Sequence, residues 1–114
     1  MKLREVVNTT GLTVRTTAQR LDVEVTGGYA SDLLSCVLAK AQKDNLWVTL
    51  QAHPNIVAMA SLLDLAGIIV TEGQELDAST VEKANEKDVC IMTTDHATFT
   101  IVARLAELGV PGVD

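Results

Sequence analysis

The chain has 114 residues, the size of one domain, and is long enough to bury a core without disulfides or metals. Its formal net charge is −6 with Lys and Arg scattered, which repels a phosphate backbone and excludes nucleic acid as an expected partner. The longest apolar run, 65–70, is far short of the roughly 20 residues that cross a bilayer, and the start MKLREVV has no signal-peptide core, so a cytoplasmic protein with no membrane partner is expected.

Hydrophobic residues make up 47%, but only Tyr29, Trp47 and Phe99 are aromatic, so the core must come from Val, Ile, Leu and Ala. That composition suits parallel strands buried on both faces. Residues 1–17 predict a short helix over 3–8 and a short strand near 12–14. Four units follow in which a β-rich run leads into a helical pattern, starting near Glu24, Leu46, Gly67 and Asp88 at intervals of about 22 residues. The expected fold is a single domain over 1–114: a three-layer α/β/α arrangement around a mainly parallel sheet of four to five strands. Right-handed crossovers are expected to place helices on both faces.

In chain order, the first of these helices is predicted over 30–42, with Leu33, Leu34, Val37, Leu38 and Ala41 on one stripe and with Ser31 and Asp32 as its cap and first-turn acid. The next strand, 46–50, runs out through Gln51-Ala52-His53 to Pro54, a residue suited to the first helical position. The helix that opens at Asn55 and closes at Ala66 carries Ile56, Val57, Met59, Ala60, Leu62, Leu63 and Leu65 around most of its wheel. One sheet face cannot bury so much, so a homodimer through this helix is expected, with Met59 and Leu62 facing outward. A polar helix over 79–87 opens on the capping-box pattern Ser79-Thr80-Val81-Glu82, and the last, over 97–108, stops at Gly109 with Pro111 beyond.

Ligands of open parallel sheets bind beyond the carboxyl ends of the strands. The polar residues placed at that edge are Thr26, Gly27 and Gly28, then Gln51, His53 and Asn55, then Thr93, Thr94 and His96, and these form the candidate ligand-binding set. The Gly27-Gly28 turn either lets a ligand approach the backbone or supplies positive φ for a strand-to-helix turn. Gln51, His53 and Asn55 surround a helix N-terminus without a carboxylate of its own, and either bind a modest anion or cap the helix. Asp32, Glu72 and Asp95 share the rim, so a polyphosphate would need a metal ion or a partner's Arg, whereas a small anion or the nucleoside part of a nucleotide would fit.

Neither histidine has metal-ligand spacing, there is no phosphate-binding glycine loop, and no serine or cysteine sits in a nucleophile elbow. Cys36 and Cys90 have no C-x-x-C partner and are expected as small core residues. No catalytic residue, metal or cofactor is therefore assigned, and a small phosphate- or nucleotide-handling enzyme stands as the alternative function.

The run Val25-Thr26-Gly27-Gly28-Tyr29-Ala30-Ser31-Asp32-Leu33-Leu34-Ser35 resembles the opening of stand-alone DRTGG-domain proteins. The blocks from Leu46 to His53, Asn55 to Ala58 and Asp64 to Ile69, and Thr93-Thr94 with Thr98-Phe99, resemble the family's later blocks. Only Thr26-Gly27-Gly28 of the name-giving residues form a run; Asp22 is nearby, and no Arg lies between Asp22 and Thr26. The resemblance implies a fold similar to the N-terminal domain of HPr kinase/phosphorylase and a regulatory or dimerising role without an assigned catalytic residue. It also implies a link to hydrogenase or central metabolism through a protein partner. The serine-kinase label that some relatives bear does not transfer, because this chain lacks the phosphate-binding loop of the kinase domain.

Overall fold

The computed structural model describes residues 1–17 and 19–114. Its elements in chain order are α1 (Leu3–Thr10), β1 (Thr13–Val14), β2 (Gly27–Ala30), α2 (Leu34–Lys40), β3 (Asn45–Thr49), α3 (Asn55–Leu63), β4 (Gly67–Val70), α4 (Ala78–Glu86), β5 (Ile91–Thr93) and α5 (Thr98–Glu107). They form one five-stranded sheet in the order β1-β5-β4-β3-β2. β2 to β5 run parallel, and β1 alone is antiparallel, pairing Thr13 with Thr93 and Val14 with Met92. The three-layer, mainly parallel architecture follows the expectation.

The layers fill differently from the expected manner. From β2 to β5 the strands advance across the sheet in one direction, so right-handed connections put all three crossover helices on the same face. There Val37 of α2, Ile56, Val57 and Ala60 of α3, and Ala84 of α4 pack on Trp47, Ile68, Val70 and Ile91. The opposite face is covered by α1 and α5, which are not crossovers: Leu3, Val6, Ile101 and Leu105 pack on Leu46, Val48, Ile69 and Met92. Successive strand residues alternate between the two clusters, as the period of two in a strand requires, so β3 and β4 are buried throughout. Among the described residues no helix is long and apolar enough to cross a membrane.

Two helices depart from their predicted bounds. α2 starts at Leu34 because Ala30 belongs to β2, and Ser31 and Asp32 do not cap it. Instead the Ser31 hydroxyl accepts from the Leu33 N–H (3.1 Å), and the Ser31 carbonyl accepts from the indole N–H of fully buried Trp47 (2.8 Å). α3 ends at Leu63, where Asp64 takes the left-handed conformation (φ 54°) and turns the chain, leaving Leu65 and Ala66 outside the helix. α3 is flanked by α2 and α4, and Met59 packs partly buried against the core cluster, contrary to its expected outward position. Leu62 does face out, at 71% exposure. Much of the apolar wheel that suggested a second subunit is therefore covered by neighbouring helices of the same chain.

Candidate functional site

At the carboxyl edge, the ends of β2 and β3 are tied together. The Asp32 carboxylate accepts from the Thr49 hydroxyl (2.7 Å) and the Leu50 N–H (2.9 Å), and the Gln51 side-chain amide donates to the Asp32 carbonyl. The loop onward to α3 is clamped from the next helix, where buried Thr80 donates its hydroxyl to the Ala52 carbonyl (2.7 Å). That bond also explains the Ser79-Thr80 motif: the N-cap of α4 is Asp77, without a side-chain cap bond, and Thr80 instead reaches across to the β3–α3 loop. His53 and Asn55 stand exposed at the start of α3, which has no side-chain cap bond. Gln51 is thus used internally, and His53 and Asn55 act neither as the expected caps nor as part of an enclosed cavity with the last strand.

The edge opens between β4 and β5. The chain leaving β4 goes to α4 on one face, whereas the chain leaving β5 goes to α5 on the other, and such a divergence is where open parallel sheets form crevices. Two backbone bonds hold the loops together at the root: Glu72 N–H to the His96 carbonyl (2.9 Å) and Gly73 N–H to the Thr94 carbonyl (3.1 Å). Glu72 and Gly73 both have positive φ, 65° and 68°, which makes the turn tight enough for these bonds. The Glu72 carboxylate accepts from the Thr98 N–H (2.7 Å) and so caps α5 across the gap, and the Thr98 and Thr71 hydroxyls bond at 2.6 Å. The expected rim carboxylate at Glu72 is therefore occupied by the fold.

Above this root is an open pocket of about 260 Å³ lined by Gly11, Thr13, Arg15, the loop 73–75, and 93–96. Thr93, Thr94 and His96 of the candidate set meet here; Gln51, His53 and Asn55 do not, because β4 separates β3 from β5. Arg104 can only donate, so its 3.2 Å contact with His96 uses Nε2 of the ring as acceptor. Sequence reasoning missed Arg15 and Thr13. They arrive through the antiparallel pairing of β1 with β5, and Arg15 N–H bonds the Ile91 carbonyl at 2.9 Å. Contact between residues so far apart in sequence leaves no local signal beyond the short β-rich run itself. Among the described residues, the side chains of Arg15, Glu75 and Asp95 make no ion pair or hydrogen bond.

Thr26, Gly27 and Gly28 lie elsewhere. Gly27 opens β2, so the triplet is at the amino end of the strand, opposite the edge where it was expected. Neither glycine has positive φ. Their smallness serves a close approach by the chain's own C-terminal segment: Gly28 N–H donates to the Pro111 carbonyl at 2.8 Å, and a Cβ on Gly27 would stand 3.0 Å from that oxygen and 3.2 Å from Asn45 Nδ2. Buried Asn45 in turn donates to the Thr26 hydroxyl (3.1 Å), which itself donates to the Lys43 carbonyl (2.9 Å). The triplet is a packing junction. Gly28 also lines a smaller, apolar cleft of about 150 Å³ beneath α5.

The cysteines divide: Cys90 is the core residue expected, whereas Cys36 on α2 is only half-buried and not in the core, because it lies beside rather than on the buried stripe of Val37. Cys90 is buried, and that burial pushes its thiol up to about 11, which leaves it a poor nucleophile at neutral pH. Among the described residues no group of three or more His, Cys, Asp or Glu side chains is placed to hold a metal ion.

A mainly parallel sheet with a crevice at its last crossover defines a small three-layer α/β domain. The chain belongs to the DRTGG domain family, whose model matches residues 19–108. No curated protein matches it. Among solved structures it is similar to the CBS and DRTGG domains of the regulatory region of Clostridium perfringens pyrophosphatase, complexed with the activator diadenosine tetraphosphate, at 18% identity and a TM-score of 0.76. The likeness covers 96% of this chain and 47% of that one, so the chain spans about half of its length.

Proposed function

We propose that the chain is a non-catalytic regulatory module whose β4–β5 crevice binds a small ligand, a modest anion or the nucleoside part of a nucleotide, and transmits its presence to a partner. The observation that carries this is the pocket at the divergence of α4 and α5, which Arg15 lines together with Glu75, Asp95 and the hydroxyl-bearing Thr13, Thr93 and Thr94. Membership in the DRTGG family and the likeness to a regulatory region that holds a nucleotide activator support the same reading. The link to hydrogenase or central metabolism is carried over from the family resemblance, with the ligand as its signal.

The test is thermal melting of the pure chain against nucleotides, inorganic phosphate, carboxylates and divalent metals. A ligand that binds only the folded state raises the midpoint, by an amount that grows with its concentration over Kd. The same samples assayed for ATP turnover decide for the enzyme alternative if phosphate is released.

The module is further proposed to be a cytoplasmic homodimer. The surface proposed for it is that of the α2–α3 pair, where Leu62 is 71% and Leu38 is 51% exposed near the carboxyl ends of neighbouring helices. Leu62→Glu is expected to convert the dimer to a monomer in light scattering, because an unpaired charge is costly to bury. A wild-type chain that is monomeric at micromolar concentration removes the dimer from the proposal.

A further inference from the structure

We infer that the β4–β5 pocket selects a small zwitterion of the α-amino-acid type, its carboxylate held by Arg15 and its ammonium by Asp95 and Glu75. This rests on the reading of that pocket as the ligand site and narrows the ligand. Arg15, Glu75 and Asp95 line one pocket, yet among the described residues none pairs with another or with any third group. All three are exposed at the open mouth of the pocket, and opposite charges that line one pocket without neutralising one another complement a ligand that is itself bipolar.

The pocket's charge balance points the same way. One guanidinium against two carboxylates leaves the lining net negative, which disfavours a di- or triphosphate, whereas a single carboxylate matches the planar fork of one Arg. The Thr13, Thr93 and Thr94 hydroxyls and the Gln74 amide add hydrogen-bonding groups that a small polar molecule can satisfy. None of Tyr29, Trp47 and Phe99 lines the pocket, so the His96 imidazole, already held by Arg104, is the one aromatic ring among the lining residues. At about 260 Å³ the pocket lies below the roughly 300–1,000 Å³ of sites for drug-sized ligands, which suits a compact metabolite.

The experiment is titration calorimetry and thermal melting of the full chain with a panel of free amino acids. Alongside them go propionate and ethylamine as half-ligands, and AMP and ATP as nucleotide probes. At least one amino acid is expected to bind and raise the midpoint, while propionate and ethylamine do not. Arg15→Gln is expected to weaken that amino acid at least tenfold, and Asp95→Asn combined with Glu75→Gln to weaken it to a similar degree. Among the described residues all three side chains are free of internal bonds, so the unliganded midpoint should stay unchanged. If AMP or ATP binds instead and Arg15→Gln abolishes it, the pocket stands and the zwitterion assignment falls. If an amino acid binds but Arg15→Gln leaves its Kd unchanged, it sits elsewhere and the inference is overturned. If no member of the panel or of the broader ligand screen binds, both the inference and the ligand site fall.

Discussion

The two histidine-bearing loops have similar composition and lie on the same edge of the sheet, yet the fold treats them in opposite ways. The loop from β3 to α3 spends its polar groups internally, on Asp32, Thr49 and Thr80, and is shut. The loop from β5 to α5 is bonded to its neighbour at the root, through Thr71, Glu72 and Gly73, and holds a pocket above it. The difference lies in where the next helix goes. α2 and α3 cross to the same face, so the ends of β2 and β3 run side by side and can be laced together, whereas α4 and α5 part to opposite faces and leave a gap. A strand end that carries a Thr and a nearby His therefore becomes laced or stays open according to the direction of the chain beyond it.

The largest expected effect comes from breaking the latch. Asp32→Ala removes the acceptor for the Thr49 hydroxyl and the Leu50 N–H, and the hydroxyl is on a buried residue, so a loss of about 2–3 kcal/mol is expected in urea unfolding. An unfolding curve that superimposes on the wild type would mean that the β3–α3 loop is not held by this carboxylate, and the contrast between the loops would vanish. Thr80→Val, nearly isosteric, leaves the Ala52 carbonyl without its 2.7 Å donor and is expected to cost about 1–2 kcal/mol by the same measurement.

On the open side, Glu72→Ala uncaps α5 and is expected to cost about 1 kcal/mol, with faster amide hydrogen exchange confined to the first turn, at Thr98 and Phe99. Exchange that rises along the whole helix instead would show Glu72 to hold the entire last unit. The smallest effect belongs to the exposed tips. The double change of His53 and Asn55 to Ala is expected to shift stability by less than about 0.5 kcal/mol and to leave any ligand-induced midpoint shift intact. A lost shift would move the binding site back to the β3–α3 loop.

Much of the fold was legible because burial writes a plain pattern. The apolar stretch at 46–50 and the unit starting near Gly67 mark β3 and β4 to within about a residue, and Gly109 follows the end of α5 with a left-handed φ of 93°. Gly27-Gly28 was misplaced because glycine seldom starts a strand and often makes a turn; only the approach of Pro111, more than 80 residues on, explains it. The apolar wheel of α3 could not reveal its neighbours, since two flanking helices and a second subunit bury side chains equally well. Of the candidate site, Thr93, Thr94 and His96 were readable as the end of the last strand. Arg15 was not, because its position depends on β1 joining the far edge of the sheet in the reverse direction.

The seating of the C-terminal segment on Gly27 and Gly28 bears on how the molecule stays apart from its copies. An open sheet exposes unpaired backbone at its two outer strands, where another chain could add on and propagate. Here the outward N–H of Gly28 is already taken by the Pro111 carbonyl, and a proline in that segment has no N–H with which to continue a ladder. At the opposite border β1 is only two residues long and runs against the others. Both borders are blunted, which disfavours the addition of a further strand at either one.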